Sequence, residues 1–272
     1  MIQTLQICTN HFEKITMNTA ISFLSVIPMR KEPSHRSEMV SQILFGEFVE
    51  KMEVEENFVH VKCLYDDYTG WIQANQLTAA EQIMSTQVYC GNWSHEILIN
   101  GRTIHISMGS PLYNIKDPVI HIGKNEVRNV YTDNSFHWNI AEKSFTKSNL
   151  EYVYQKYLDT PYLWGGKSVF GIDCSGFVQQ VYKMFGIKLL RDAYLQAEQG
   201  VPIQDLAQTK LGDLAFFKNE NGRIIHVGIL LENHQIVHAS GNVRIDRIDE
   251  NGIINSETGR RTHQLCLIRR MV

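Results

Sequence analysis

The sequence predicts an α+β domain at its C-terminal end, preceded by two small β-barrels. Three observations carry this. Residues 18–80 hold short strand-like runs separated by turns at roughly 8–12-residue intervals, the spacing of a small barrel. Residues 81–147 repeat that style. From residue 148 to residue 272 helical patterns come first and strand-like runs follow, the order of an α+β domain. A chain of 272 residues accommodates this division, since one domain takes roughly 100–200 residues.

Residues 1–17 show no pattern and read as an N-terminal extension, with Met17 as an alternative start. The apolar run "ISFLSVIPM" (Ile21 to Met29) has the length of a signal-peptide core. It follows His11, Glu13 and Lys14 rather than a basic cluster, and Pro28-Met29-Arg30 is no small-residue cleavage site, so a strand is the better reading. "SQILFGEFVEKME" places Ile43 and Phe45 before a Gly46-Glu47 turn and Phe48 and Val49 after it. "NFVHVKCLY" alternates Phe58, His60 and Lys62 with Val59, Val61 and Cys63, the period of a half-buried strand. "DDYTGWIQANQL" adds a turn and then Trp71-Ile72. In the second unit, "EILINGRTIHISMGSPLY" carries an Asn100-Gly101 hairpin signal between apolar runs, and "VRNVYTDNSFHW" offers a further strand and turn. The polar stretch "IAEKSFTKSNL" serves as a connector or helix start. "NLEYVYQKYL" is helical. A second helix opens at Cys174, with Phe177, Val178, Val181, Tyr182 and Phe185 on one face. "DLAFFK", "HVGILLE", "QIVHA" and "QLCLIRRMV" read as strands.

Composition narrows the function classes. The chain is 43% apolar and 20% charged with a formal net charge of -3, an ordinary globular balance that gives no reason to expect nucleic acid or an anionic membrane surface. No run approaches the ~18 apolar residues of a membrane span. The five cysteines (Cys8, Cys63, Cys90, Cys174 and Cys266) are scattered and form no C-x-x-C pair, which argues against a disulfide framework and a structural zinc site. A reducing compartment is expected. Cys63, Cys90 and Cys266 suit an inert buried thiol, since free cysteine is among the most buried residue types.

Cys174 is different. It opens a helix between Asp173 and Ser175, with Gly176 leaving its approach open. The unpaired N–H groups and the dipole at a helix N-terminus favour an anion, which lowers a thiol normally near 8.5, and a neighbouring imidazolium lowers it further. That is the setting of a nucleophile. The imidazole must come from elsewhere in the chain, and His226 and His238 stand at the ends of two successive strand-like runs. They are symmetric about residue 232, so a hairpin with an odd-numbered loop sets them on one face. A strict two-residue turn at 233–234 would put them out of phase, and the pairing then needs a longer loop or a bulge. His234 sits at the turn and faces solvent. A Cys/His/His zinc site competes with this reading, but its usual close ligand pairs are missing.

The motifs "PYLWGG", "GIDCSGFVQ", "LLRDAYLQ", "LGDLAFF", "HVGILL" and "IVHAS" occur in that order over residues 148–272, which closely resembles the NlpC/P60 family of cell-wall cysteine peptidases. The N-terminal half, with "SEMVSQILFGE" and "DDYTGWI", resembles the bacterial SH3 domains that precede the catalytic domain in one subgroup, the γ-D-glutamyl-L-diamino acid endopeptidases. The resemblance is good over 18–80 and loose over 82–138. It implies a papain-like catalytic fold behind two SH3-like barrels and a Cys-His-His triad of Cys174, His226 and His238, in which His238 orients His226. Tyr162 matches a tyrosine near the oxyanion site. Asp173, Ser175, Arg191 and Asp192 match pocket residues. Ala193 stands where the family often has serine, so one hydroxyl is absent from the expected pocket. In the first barrel, Tyr68 and one of Glu38 or Glu47 match residues that reach into the active site.

A free peptide amine is a cation, and a pocket of Asp192, a glutamate and the Tyr68 hydroxyl suits it through charge-assisted hydrogen bonds. The expectation is therefore a cysteine peptidase that cleaves the γ-D-glutamyl–diamino acid bond of short murein peptides such as L-Ala-γ-D-Glu-diaminopimelate. It is expected to act as a cytoplasmic monomer, without metal or cofactor. Two other readings stay open: a secreted or phage-type hydrolase of intact peptidoglycan anchored by its SH3-like domains, and a non-catalytic protein that binds wall peptides.

Overall fold

Alternation along Val26–Arg30 and Phe58–Cys63 sends Ile27, Met29, Val59 and Val61 to one side, and these meet Ile43, Val49 and Ile72 in the core of the first barrel. The structure, a computed structural model, describes residues 18–114, 119–129 and 136–272. The expected extension over 1–17 with Cys8, and the middle of "VRNVYTDNSFHW" over 130–135, lie outside the described residues.

The first barrel is a seven-stranded antiparallel sheet in the order Met39–Leu44, Val26–Arg30, Thr69–Gln73, Phe58–Cys63, Phe48–Glu55, Thr19–Ile21 and Thr78–Ala79. Behind it, Ser94–Ile99 and Arg102–Ser107 form the hairpin announced by Asn100 and Gly101, both at positive φ. Asn125–Asn129 and Val119–Ile122 extend that sheet to four strands, and Val88–Cys90 pairs separately with His137–Asn139. One apolar cluster joins Ile21, Phe45 and Phe48 of the first barrel to Val88, Cys90 and Ile97 of this unit.

The C-terminal domain begins with helix α1 (Lys147–Gln155), whose first turn is capped by Thr146 through Asn149 N–H. Helix α2 (Cys174–Lys183) and the short α3 (Ala193–Gln196) follow. Six strands then close on themselves in the order Arg261–Arg270, Leu214–Lys218, Ile224–Leu230, Gln235–Ser240, Asn242–Asp249 and Gly252–Ile254, the last pairing back to the first. Helix α2 packs against Ile224–Leu230 and Gln235–Ser240 through Phe177, Val178 and Val181 on one side and Val227, Ile229 and Val237 on the other.

Helix α2 is buried all round. Its apolar face meets the sheet, as its pattern predicts, while polar Gln179 and Lys183 face the first barrel and hydrogen-bond Asp66 and Glu47 there. Cys63 and Cys90 are buried, whereas Cys266 lies on the exposed side of its strand, against the expectation for it. Among the described residues no helix is long and apolar enough to cross a membrane.

Candidate active site

The first turn of α2 is built by one carboxylate. Asp173 is the N-cap, and its Oδ1 accepts from Gly176 N–H at 2.7 Å while its Oδ2 accepts from Gly165 N–H at 2.9 Å. Arg191 grips the same group with both guanidinium arms, at 3.0 and 2.6 Å, and also reaches Ser175 Oγ and, in the first barrel, Ser41 Oγ. Burial works against the Arg191 charge, but Asp173 more than offsets it and holds the guanidinium protonated. Arg191, 1% exposed, thus pairs with Asp173 and braces the helix start. Gly165 explains part of the glycine-rich approach to the helix. It sits at φ +76°, and a Cβ there would lie 2.5 Å from Met39 O of the first barrel. Only glycine lets the catalytic loop lie that close to the barrel.

Cys174 opens a cleft of about 680 Å³. Tyr162, Asp173, Ser175, Asp192 and Ala193 line it from the catalytic domain, and Glu38 and Tyr68 from the first barrel. The Tyr68 hydroxyl lies 3.4 Å from both Asp192 oxygens. Burial pushes the Asp192 carboxyl up, against the pull of Arg191 and the Tyr68 hydrogen bond. Burial, and then the Asp192 charge, raise Tyr68 in turn. Glu38 accepts from Trp164 Nε1 at 2.8 Å and faces Lys31 at 3.6 Å.

Glu47 is elsewhere, which corrects its expected place beside the pocket. The positive-φ turn at Gly46 directs its side chain into the seam between barrel and catalytic domain. There it meets Lys183 at 2.7 Å, Lys167 at 3.4 Å and Leu44 N–H at 2.9 Å. It is a buried structural ion, and Glu38 is the acid on the cleft wall.

His226 and His238 come together as the odd-loop hairpin requires, but about a different centre. Ile229 pairs with Val237 and Leu230 with Ile236, and Leu231 N–H donates to Gln235 O, which leaves Glu232, Asn233 and His234 as an odd-numbered turn. His238 therefore stands opposite Gly228, and the two imidazoles meet on a diagonal, His226 Nε2 to His238 Nδ1, at 2.8 Å. A Cβ on Gly228 would lie 2.9 Å from the Cβ of His238, so the missing side chain leaves room for the contact.

Three residues here escaped sequence reasoning. Asp246 accepts from His238 Nε2 at 3.1 Å, Arg244 pairs with Asp246, and His263 stacks on the His226 ring at 4.2 Å. The strand carrying Asp246, "NVRIDRID", has apolar residues at 243 and 245, a signal for a strand but not for a role of its aspartate. Nothing in the sequence marked His263.

The resting electrostatics differ from the expectation of a lowered thiol. Burial first, and then the Asp173 charge, push Cys174 up to about 12 against the pull of the Val227 and Ser175 N–H groups and Arg191. Burial, His238 and His263 hold His226 well below the usual imidazole range. A neutral thiol beside Val227 and a neutral imidazole on the preceding residue can still act together, if the proton moves as the sulfur attacks. Among the described residues no three His, Cys, Asp or Glu side chains are grouped to hold a metal ion.

Residues 159–262, which hold the thiol, both histidines and Asp246, match the model of the NlpC/P60 family, and residues 29–77 match the bacterial dipeptidyl-peptidase SH3 domain. The chain carries an NlpC/P60 domain behind a bacterial dipeptidyl-peptidase SH3 domain. This NlpC/P60 chain is 29% identical over 259 residues to the dipeptidyl-peptidase 6 of Lysinibacillus sphaericus, spanning 85% of this chain and 92% of that one. It is 45% identical over 87 residues to a γ-D-glutamyl-L-lysine dipeptidyl-peptidase of Bacillus subtilis (strain 168), an alignment covering 30% of this chain and 28% of the relative. The crystal structure of an NlpC/P60 family protein from Bacillus cereus superposes with a TM-score of 0.74 at 18% identity, covering 93% of this chain and 99% of that chain, and so shares its fold. The family chemistry makes this NlpC/P60 protein a cysteine peptidase behind an SH3-like barrel.

Proposed function

We propose that this peptidase hydrolyses the bond between γ-D-glutamate and a diamino acid in short murein peptides with a free N-terminal L-alanine, such as L-Ala-γ-D-Glu-diaminopimelate. One observation carries the reading: a single cleft holds Cys174 together with Asp192, Tyr68 and Glu38, acidic and hydroxyl groups drawn from two domains. A substrate ammonium placed among them gains charge-assisted hydrogen bonds. The amide nitrogen of intact murein is uncharged and keeps a single N–H, so it offers those groups no cation and one donor in place of three. The likeness to dipeptidyl-peptidase 6 over 85% of the chain, and the match of residues 29–77 to the bacterial dipeptidyl-peptidase SH3 domain, support the assignment.

In the proposed mechanism Cys174 Sγ attacks the γ-carbonyl carbon as its proton passes to His226. The Cys174 N–H at the helix start and the Tyr162 side face the developing oxyanion. Collapse breaks the C–N bond, and the leaving diamino acid takes the proton back from His226. Water, giving a proton to the same imidazole, then hydrolyses the thioester. Ala193, with no hydroxyl, leaves amine recognition to Asp192, Tyr68 and Glu38. One chain supplies the whole cleft, so the enzyme is proposed to act as a monomer. Free peptides of this kind are products of wall turnover, and the role proposed is their recycling in the cytoplasm.

The test compares L-Ala-γ-D-Glu-diaminopimelate with its N-acetyl derivative. Acetylation should lower kcat/KM by ~10²-fold or more, since it removes the cation that the half-buried Asp192 would pair with. Tyr68→Phe should slow cleavage of the free peptide and leave the acetylated one nearly unaffected. Comparable rates on both peptides would overturn the amine pocket and favour a hydrolase of intact peptidoglycan.

A further inference from the structure

Asp246 belongs to no motif, yet it ends a chain of hydrogen bonds that starts at His226. The strand Asn242–Asp249 pairs with Gln235–Ser240 so that Arg244 lies opposite His238 and Asp246 opposite Ile236. Asp246 thus shares a face with His238 one diagonal step away, and its Oδ2 meets His238 Nε2 at 3.1 Å. The carboxylate, 1% exposed, is fully served: Ser256 N–H donates to Oδ1 at 2.8 Å, and Arg244 Nε lies 3.0 Å from Oδ2. Burial pushes this carboxyl up, but His238, the Ser256 N–H and Arg244 outweigh it and keep it ionised.

We infer that Asp246 sets the tautomers of both imidazoles and so presents Nδ1 of His226 as the basic atom. An ionised carboxylate holds no proton, so the proton in the 3.1 Å contact sits on His238 Nε2. A neutral His238 then has a lone pair on Nδ1. The 2.8 Å contact to His226 needs one proton, which must come from His226 Nε2. Nδ1 of His226 is left as the unprotonated nitrogen, outside the chain of hydrogen bonds. When Nδ1 gains the thiol proton, the imidazolium donates through Nε2 into a relay that ends on a fixed negative charge. Asp246 touches no substrate; it is a positioning residue acting through His238.

The groups facing this relay come from every strand around it. His263 stacks on His226 and approaches His238, with ring centroids 5.8 Å apart from the latter. Burial, and then His238, lower His263 to about 4, so it stays neutral across the working range. Arg244 faces Asp246 and is itself paired with Glu257. None of these offers His238 Nε2 a second acceptor.

The proposal rests on His226 as the base, and NMR reads the tautomers independently of that role. The whole chain, labelled with 15N-histidine, is observed at pH 8 by two-bond 1H–15N correlation, with signals assigned through single His→Gln variants. Both His226 and His238 should carry the proton on Nε2. In Asp246→Asn the amide NH2 competes for the acceptor position, so the two tautomers should become mixed, with kcat down by about 10²-fold and KM within about threefold. A proton on Nδ1 of His238 in the wild-type protein would overturn the inference, even if the variant fails to fold. So would Asp246→Asn with kcat within twofold of wild type, or with reduced kcat and unchanged tautomers.

Discussion

Replacing Glu47 by glutamine should cost about 3–5 kcal/mol of stability at neutral pH, the loss expected on breaking a buried ion pair. Burial alone would push this carboxyl up, yet Lys167 and Lys183 together bring it from 4.5 to about 2. The difference, about 2.5 pH units at about 1.36 kcal/mol each, corresponds to about 3 kcal/mol. Glutamine would also leave two buried ammonium groups without their shared anion. Because the folded-state value is the lower one, the contribution is complete above pH 4.5 and disappears as the pH falls to about 2. Urea unfolding of wild type and Glu47→Gln at pH 7 should show the full gap, and at pH 3 the gap should shrink by about 2 kcal/mol. Glu38→Gln is the control: its partner Lys31 is exposed, so the ion-pair loss should stay under about 1 kcal/mol. A Glu47→Gln gap below about 1 kcal/mol at pH 7, or one that is unchanged at pH 3, would refute the reasoning.

Two further outcomes follow from the site. With the thiol pushed up to about 12, alkylation of Cys174 by iodoacetamide should accelerate about tenfold per pH unit from pH 7 to 9 without levelling off; a plateau below pH 7 would reveal a resting thiolate. Gly228→Ala should push His238 off its 2.8 Å contact, because the new methyl would sit 2.7 Å from Ile236 Cδ1 and 2.9 Å from His238 Cβ. That should cost about 1–3 kcal/mol in overpacking and about 10²-fold in kcat, and unimpaired turnover would dismiss the diagonal geometry.

The sequence carried the local logic of the site well. A helix-start cysteine and the parity of two histidines in neighbouring strands are short-range facts, and they survive a shift of the hairpin centre because an even offset keeps both on one face. Glu38 and Glu47 could not be told apart, since each lies in the same barrel and only the turn at Gly46 decides which one reaches the cleft. Asp246 was hidden by a mixed pattern. Val243 and Ile245 set one phase and Ile248 the other, so an alternation read from the first two puts Asp246 on the wet side, although it is buried. The polar residues of α2 pose the same problem: by type Gln179 and Lys183 suit a solvated face, and only the docked barrel shows why they are buried.

The contact between Gly165 and Met39 has a wider consequence. The nucleophile lies on one folding unit, the proposed amine pocket draws Asp192 from that unit and Tyr68 and Glu38 from the other, and the two units are locked where a loop has no room for a side chain. On the proposed reading, substrate length would be fixed by the seam between the units rather than by the nucleophile alone. A chain cut down to its C-terminal domain would keep its nucleophile and lose its ruler. Conversely, a family that kept the same machinery and changed only the angle of the front barrel would have a direct route from trimming free peptides to cutting longer ones.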